Sequence, residues 1–76
     1  MRDRYLPIEG FIKSETDKAF LLEPCEFDLG GVTHSFNNLW VPKSVTHEDS
    51  LDTVDEAVRG DKIEVHVVEW WLNDNH

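Results

Sequence analysis

The residues of this chain that are able to do chemistry are few, and their spacing points to binding rather than to catalysis. Cys25 stands between Pro24 and Glu26, with no neighbouring base or helix start to lower its pKa and activate it as a nucleophile. Ser14, Ser35, Ser44 and Ser50 lack the flanking glycines of a nucleophile elbow. His34, His47, His66 and His76 together with Cys25 show neither Cys-x-x-Cys nor His-x-x-x-His spacing, so no zinc site is expected. The acids do not follow the order of a calcium loop, and no glycine-rich phosphate loop is present. The expectation is a protein that is not an enzyme and carries neither metal nor cofactor.

Two other sets of residues stand out. Between Ser44 and Val58 lie Glu48, Asp49, Asp52, Asp55 and Glu56, with no Lys or Arg among them. On a helix, Asp52 shares a face with both Asp55 and Glu56. Carboxylates one helical turn apart approach the spacing of successive phosphates on a nucleic-acid strand, so such a face suits the basic groove of a nucleic-acid-binding protein. The same stretch also serves, more simply, as a solvated helix that keeps a small protein in solution. The second set is aromatic: Trp40, followed by Pro42 and Lys43, and the adjacent pair Trp70 and Trp71. In an extended strand, neighbours point to opposite faces, which would bury one ring of the pair and expose the other at a contact surface. On a helical turn both rings would be free to pack inward. Trp40 is expected in the core, since large apolar side chains are scarce. Its alternative role is a stacking platform with Phe36 and Lys43.

These residues must be positioned by a short chain. Its 76 residues carry a formal net charge of -9, with 39% hydrophobic and 30% charged residues, enough for one small acidic β-rich domain spanning 1–76. A single cysteine permits no intramolecular disulfide, which fits a cytoplasmic setting. No apolar run is long enough for a membrane span. The charge disfavours direct contact with a polyanion.

The first strand is read at Tyr5 to Lys13, bent or bulged at Pro7 and Gly10. A second, Lys18 to Glu23, is ended by Pro24. Gly30-Gly31 marks a turn, and Leu39-Trp40-Val41 a short strand. Ser50 caps a short helix with Leu51, Val54 and Val58 at spacings of three and four, which Gly60-Asp61 closes. Lys62 to Val68, with Ile63, Val65 and Val67 alternating against Glu64, His66 and Val68, is the clearest strand. Glu69 to Leu72 extends it or forms one helical turn, and Asn73 to His76 is expected to fray. The expected fold is mainly β: four to five short strands in a barrel or sheet, with an OB-like barrel as one candidate, and one short helix.

The segments Lys18-Ala19-Phe20-Leu21-Leu22-Glu23, Leu39-Trp40-Val41-Pro42-Lys43-Ser44 and Val65-His66-Val67-Val68-Glu69-Trp70-Trp71-Leu72 carry a resemblance. Together they resemble small, mostly uncharacterised β-rich proteins of bacteria and their phages, which pair a Lys-Ala-aliphatic-Leu strand with a Trp-aliphatic-Pro-Lys-Ser strand end and close near Glu-Trp-Leu. The chain departs from that pattern in the insert Glu23 to Asn38 and in the doubled Trp70-Trp71. The resemblance implies a small β-rich fold and an origin in a mobile element. It implies no activity and transfers no functional residue.

Three functions follow as expectations. The first is an acidic protein-binding domain, an inhibitor from a phage or mobile element that blocks a basic nucleic-acid-binding surface by mimicry. Glu48, Asp49, Asp52, Asp55 and Glu56 would steer it and Trp70 or Trp71 would anchor it. The second is an OB-like single-strand nucleic-acid binder that stacks bases on Trp40, Phe36 and Trp71, with a local basic groove from Arg2, Arg4, Lys13, Lys18 and Lys43. The third is a homo-oligomer whose tryptophans close a subunit interface.

Overall fold

The computed structural model describes residues 4–75, without the side chain of Asn75. Five strands form one antiparallel sheet: β1 (Tyr5–Glu15), β2 (Ala19–Leu29), β3 (Val32–Phe36), β4 (Leu39–Pro42) and β5 (Lys62–Val68). Two helices, α1 (Glu48–Glu56) and α2 (Glu69–Asn75), and a 3-10 turn at Lys43–Val45 complete the fold. The spatial order is β3-β2-β1-β5, and β4 pairs with the first half of β2, in line with β3. The sheet stays open, so the barrel and OB-like alternatives give way to the sheet alternative.

Alternation along the strands builds the core. Ile8 and Ile12 from β1, Phe20, Leu22, Cys25 and Phe27 from β2, Leu39 and Val41 from β4, and Ile63, Val65 and Val67 from β5 are all buried. Val54 of α1 and Leu72 of α2 close it. Pro24 does not end the second strand. β2 runs through it, and the inward set shifts from Phe20 and Leu22 to Cys25 and Phe27. Between the pairs Gly10↔Cys25 and Ile12↔Leu22, β2 spends one residue more than β1, which is a bulge. The bulge takes up the proline, whose missing N–H would break a regular central ladder. Gly10 is required there by close approach: a Cβ would lie 2.7 Å from the Pro24 carbonyl oxygen and 2.9 Å from Leu22 Cβ.

Gly30 and Gly31, with φ of 61° and 83°, form the two-residue turn between β2 and β3, the left-handed geometry that a tight hairpin needs. Pro7 stands opposite His66, and the backbone of His66 turns away from it. The His66 carbonyl accepts from the His47 N–H at 2.8 Å, and its own N–H donates to Ser50 Oγ at 2.8 Å. With the Thr46↔Val67 bridge, these bonds cover the outer edge of β5 with the start of α1.

Candidate functional site

The acidic helix differs from its sequence-based outline at both ends. α1 begins at Glu48, and its cap is His47, whose Nδ1 accepts from the Asp49 N–H at 3.1 Å. Ser50 is not the cap. It lies inside the helix, buried, and spends its hydroxyl on β5. The helix ends at Glu56, so Val58 is not on its apolar face but 65% exposed beyond it. The turn that follows is closed by Asp61, whose side chain accepts from the Val58 N–H, and by Gly60 at φ 96°.

Glu48, Asp49, Asp52, Asp55 and Glu56 are all exposed on α1. Glu48 and Asp49 occupy the first turn, where the helix dipole favours negative charge. No basic residue stands in the last turn. Asp55 reaches a small cluster in which Lys43 Nζ meets Glu15 Oε2 at 2.6 Å. The Lys43 ammonium holds the Glu15 carboxyl below the usual carboxylate range, first through their hydrogen bond. Glu15 in turn raises the Lys43 pKa, again chiefly through that bond, with Asp55 and Asp17 adding charge.

Trp70 and Trp71 lie on α2, not on an extended strand. Both rings do not pack inward: Trp70 is 52% exposed and Trp71 half-buried, while Leu72 takes the core position. Successive helical residues are about 100° apart, so the pair spans the boundary between core and solvent. The acidic set and the tryptophan pair share one support. α1 hangs on His66, and α2 continues directly from Val68, its first N–H donating to the Arg4 carbonyl.

The alternative stacking set does not come together as one platform. Trp40 is not in the core but 48% exposed, because Leu39 and Val41 on either side of it take the inward positions of β4. It stands beside Leu21. Phe36 stands beside Cys25 and packs against Phe27 and His34 on the core side, with ring centroids 5.6 and 6.5 Å away. The Lys43 ammonium is engaged by Glu15.

Sequence reading missed the outward face of the sheet. Glu64, Glu9, Glu26 and Ser35 stand directly opposite one another on β5, β1, β2 and β3, an acidic row visible only once the register is known. It borders two open hollows. One, of about 320 Å³, is lined by Phe11, Pro24, Cys25 and Phe36 with Glu9, Glu26 and Lys62 around them. The other, of about 300 Å³, is lined by Leu6, Pro7 and Phe27 with Glu9, Glu26, Asp28 and Glu64. Burial, and then the Glu26 charge, push the Cys25 thiol up to about 11, so it is protonated at neutral pH. Among the described residues, no three His, Cys, Asp or Glu side chains gather as a metal-binding group, and no helix is long and apolar enough to cross a membrane. No protein-family model, curated protein or solved structure matches the chain.

Proposed function

We propose that the protein is a non-enzymatic binding domain that presents α1 to the basic surface of a nucleic-acid-binding partner and blocks it by mimicry. In this reading it is an inhibitor of phage or mobile-element origin that works inside the cell. The observation that carries the proposal is the presentation of five exposed carboxylates on a nine-residue helix, anchored to β5 by a buried serine. Fixed charges on a rigid element attract a basic partner at long range and set its register once bound. Trp70, projecting from α2 with half its surface in water, supplies the apolar anchor that charge lacks.

The test is competition for a basic DNA-binding domain carrying fluorescent duplex DNA, read by anisotropy. The wild-type protein releases the DNA. The triple reversal Asp52→Lys, Asp55→Lys and Glu56→Lys loses that effect by at least tenfold. Three reversals at Glu23, Asp28 and Glu64 retain most of it. Equal losses in the two triple variants would sink the mimic. Saturable quenching of tryptophan fluorescence by single-stranded DNA or RNA, weakening steeply with salt, would replace it with the nucleic-acid-binding reading.

A further inference from the structure

The two outer edges of the sheet are treated oppositely. On β5, the outward N–H and C=O of His66 are bonded to Ser50 and His47, which covers that edge at His66, and the next outward residue, Glu64, guards it with an exposed charge. The other edge is formed by β3 and β4, which both pair with β2. Its open backbone groups follow from the ladders. The two-residue turn makes Leu29↔Val32 a hydrogen-bonded pair, and antiparallel alternation then turns the N–H and C=O of Thr33 and Ser35 away from β2. In β4 the Lys43 N–H donates to Lys18, so Trp40 and Pro42 face outward. The Pro42 carbonyl is taken by the Thr46 hydroxyl at 3.0 Å. Among the described residues, the backbone groups of Thr33, Ser35 and Trp40 have no such cover.

Exposed edges are ordinarily guarded by charge or proline. Here no Asp, Glu, Lys or Arg occurs between Asp28 and Lys43, in a chain that is 30% charged. Instead Val32 is 59% and Trp40 48% exposed along this edge. The charge lies one strand further in. Thr33 faces Asp28, and Ser35 faces Glu26, on the outward side of β2. Both side chains are short and hydrogen-bonded to those carboxylates, Thr33 Oγ1 to Asp28 at 2.6 Å and Ser35 Oγ to Glu26 at 3.4 Å.

We propose that the β3 edge is a strand-addition site for an extended segment of a partner protein with basic side chains at alternate positions. A strand added beside β3 would lie about 4.8 Å from it and roughly twice that from β2. Its side chains opposite Thr33 and Ser35 continue the rows that hold Asp28 and Glu26. A lysine or arginine there spans the short Thr or Ser and reaches the carboxylate behind it. The intervening side chains of the added strand fall on the side of Val32, His34 and Phe36 and are apolar. Backbone bonds to Thr33 and Ser35 supply affinity, and the alternating charges supply selectivity. A second copy of this chain fits poorly, because each copy carries a net charge of -9. This edge is distinct from the α1 face, and the inference stands whether or not that face binds a groove.

The probe is the peptide (Lys-Val)4, titrated into the full chain and followed by amide NMR, with (Glu-Val)4 as its counterpart. Binding of the lysine peptide, with hydrogen-exchange protection gained at Thr33 and Ser35, is the expected result, as is no binding of the glutamate peptide. Ser35→Pro removes an N–H that β2 does not use and weakens binding at least tenfold. Ser35→Lys, a milder edge guard that places a cation over Glu26, does the same without removing a donor. The triple reversal on α1 leaves the protected amides unchanged. The proposal is overturned by any of three results: no saturable binding of (Lys-Val)4, binding indifferent to both Ser35 variants in folded protein, or protection mapping to α1. Protection of Thr33 and Ser35 that grows with protein concentration in the absence of peptide would assign the edge to a second copy and overturn it as well.

Discussion

Replacing Ser50 with alanine tests whether the acidic helix is held in place or merely tethered. The Ser50 hydroxyl accepts from the His66 N–H at 2.8 Å, and Ser50 is only 5% exposed. Alanine leaves that part-buried N–H under the helix without its acceptor. An orphaned backbone donor costs about 1–3 kcal/mol. Alanine is the better helix former, which returns about 0.5 kcal/mol. The net loss is about 1–2 kcal/mol, and in a domain of this size each kcal/mol lowers Tm by roughly 4–8 °C. Asp52→Ala, on the same helix but exposed, should stay within about 0.5 kcal/mol of wild type.

Urea unfolding followed by tryptophan fluorescence gives the stability, and hydrogen exchange gives the local answer at the His66 amide. Ser50→Ala should speed exchange there and along the first turn of α1. Because no charge changes, under the proposed function long-range steering of a basic partner would persist while the bound complex loosens, so the effect on binding would appear in the off-rate. A variant as stable as wild type, with His66 equally protected, would refute the view that this bond fixes α1 on the sheet.

Two further changes probe the sheet. Gly10→Ala puts a methyl group within 3.0 Å of the Pro24 carbonyl oxygen and of Leu22 Cβ. The strands must part, at about 1–3 kcal/mol, less the roughly 0.5–1 kcal/mol that alanine saves in chain entropy, so the urea midpoint should fall; an unchanged midpoint would disprove the close approach. Cys25 gives a pH test: its thiol is raised from about 9.0 to about 11 by burial and by Glu26, so the unfolded chain releases this proton first as pH rises. The corresponding stability is complete below pH 9 and lost towards pH 11, by about 2–3 kcal/mol at the upper end. Wild type should therefore weaken more steeply than Cys25→Ala across that window, and equal slopes would contradict the burial.

Much of the sheet is legible in the residues themselves. Gly30-Gly31 announces its turn, and Ile63, Val65 and Val67 announce the inward face of β5, with His66 exposed on the other. Gly10 announces an irregularity, but the extra residue there lies on the facing strand, β2. The errors share a cause, which is that a partner distant in sequence decides a local choice. Pro24 reads as a stop because nothing local reveals the bulge opposite Gly10. Ser50 reads as a cap because its acceptor role is claimed by His66, 16 residues away, while the real cap is the less common His47. Trp40 reads as core on size alone, although Leu39 and Val41 fix the phase of β4 and turn it out. The candidate site divides the same way. The acidic helix is visible as composition, and its exposure as amphipathic spacing, whereas the outward acidic row needs the strand register and the open edge needs the ladder pattern. One signal was present in the sequence, the uncharged run from Leu29 to Pro42, and its meaning emerges only when that run proves to be an edge.

The distribution of charge separates attraction from recognition. Glu9 stands directly opposite both Glu26 and Glu64, and like charges across a ladder are destabilising. The ion pairs on this face, Lys62–Glu9 at 3.5 Å and Lys13–Glu23 at 3.6 Å, are exposed and offset little. A domain with a small core thus carries mutual repulsion on its sheet face as well as five carboxylates on α1. Under the proposed functions, negative charge on both surfaces would draw basic partners from many directions, and by itself would discriminate poorly among them. Discrimination requires directional or apolar features, which are the outward backbone groups of Thr33 and Ser35 and the exposed Trp40 along the uncharged edge, and Trp70 on α2. Screening by salt should therefore slow association for every basic partner alike, whereas changes at Ser35 or Trp70 should alter which partner is kept.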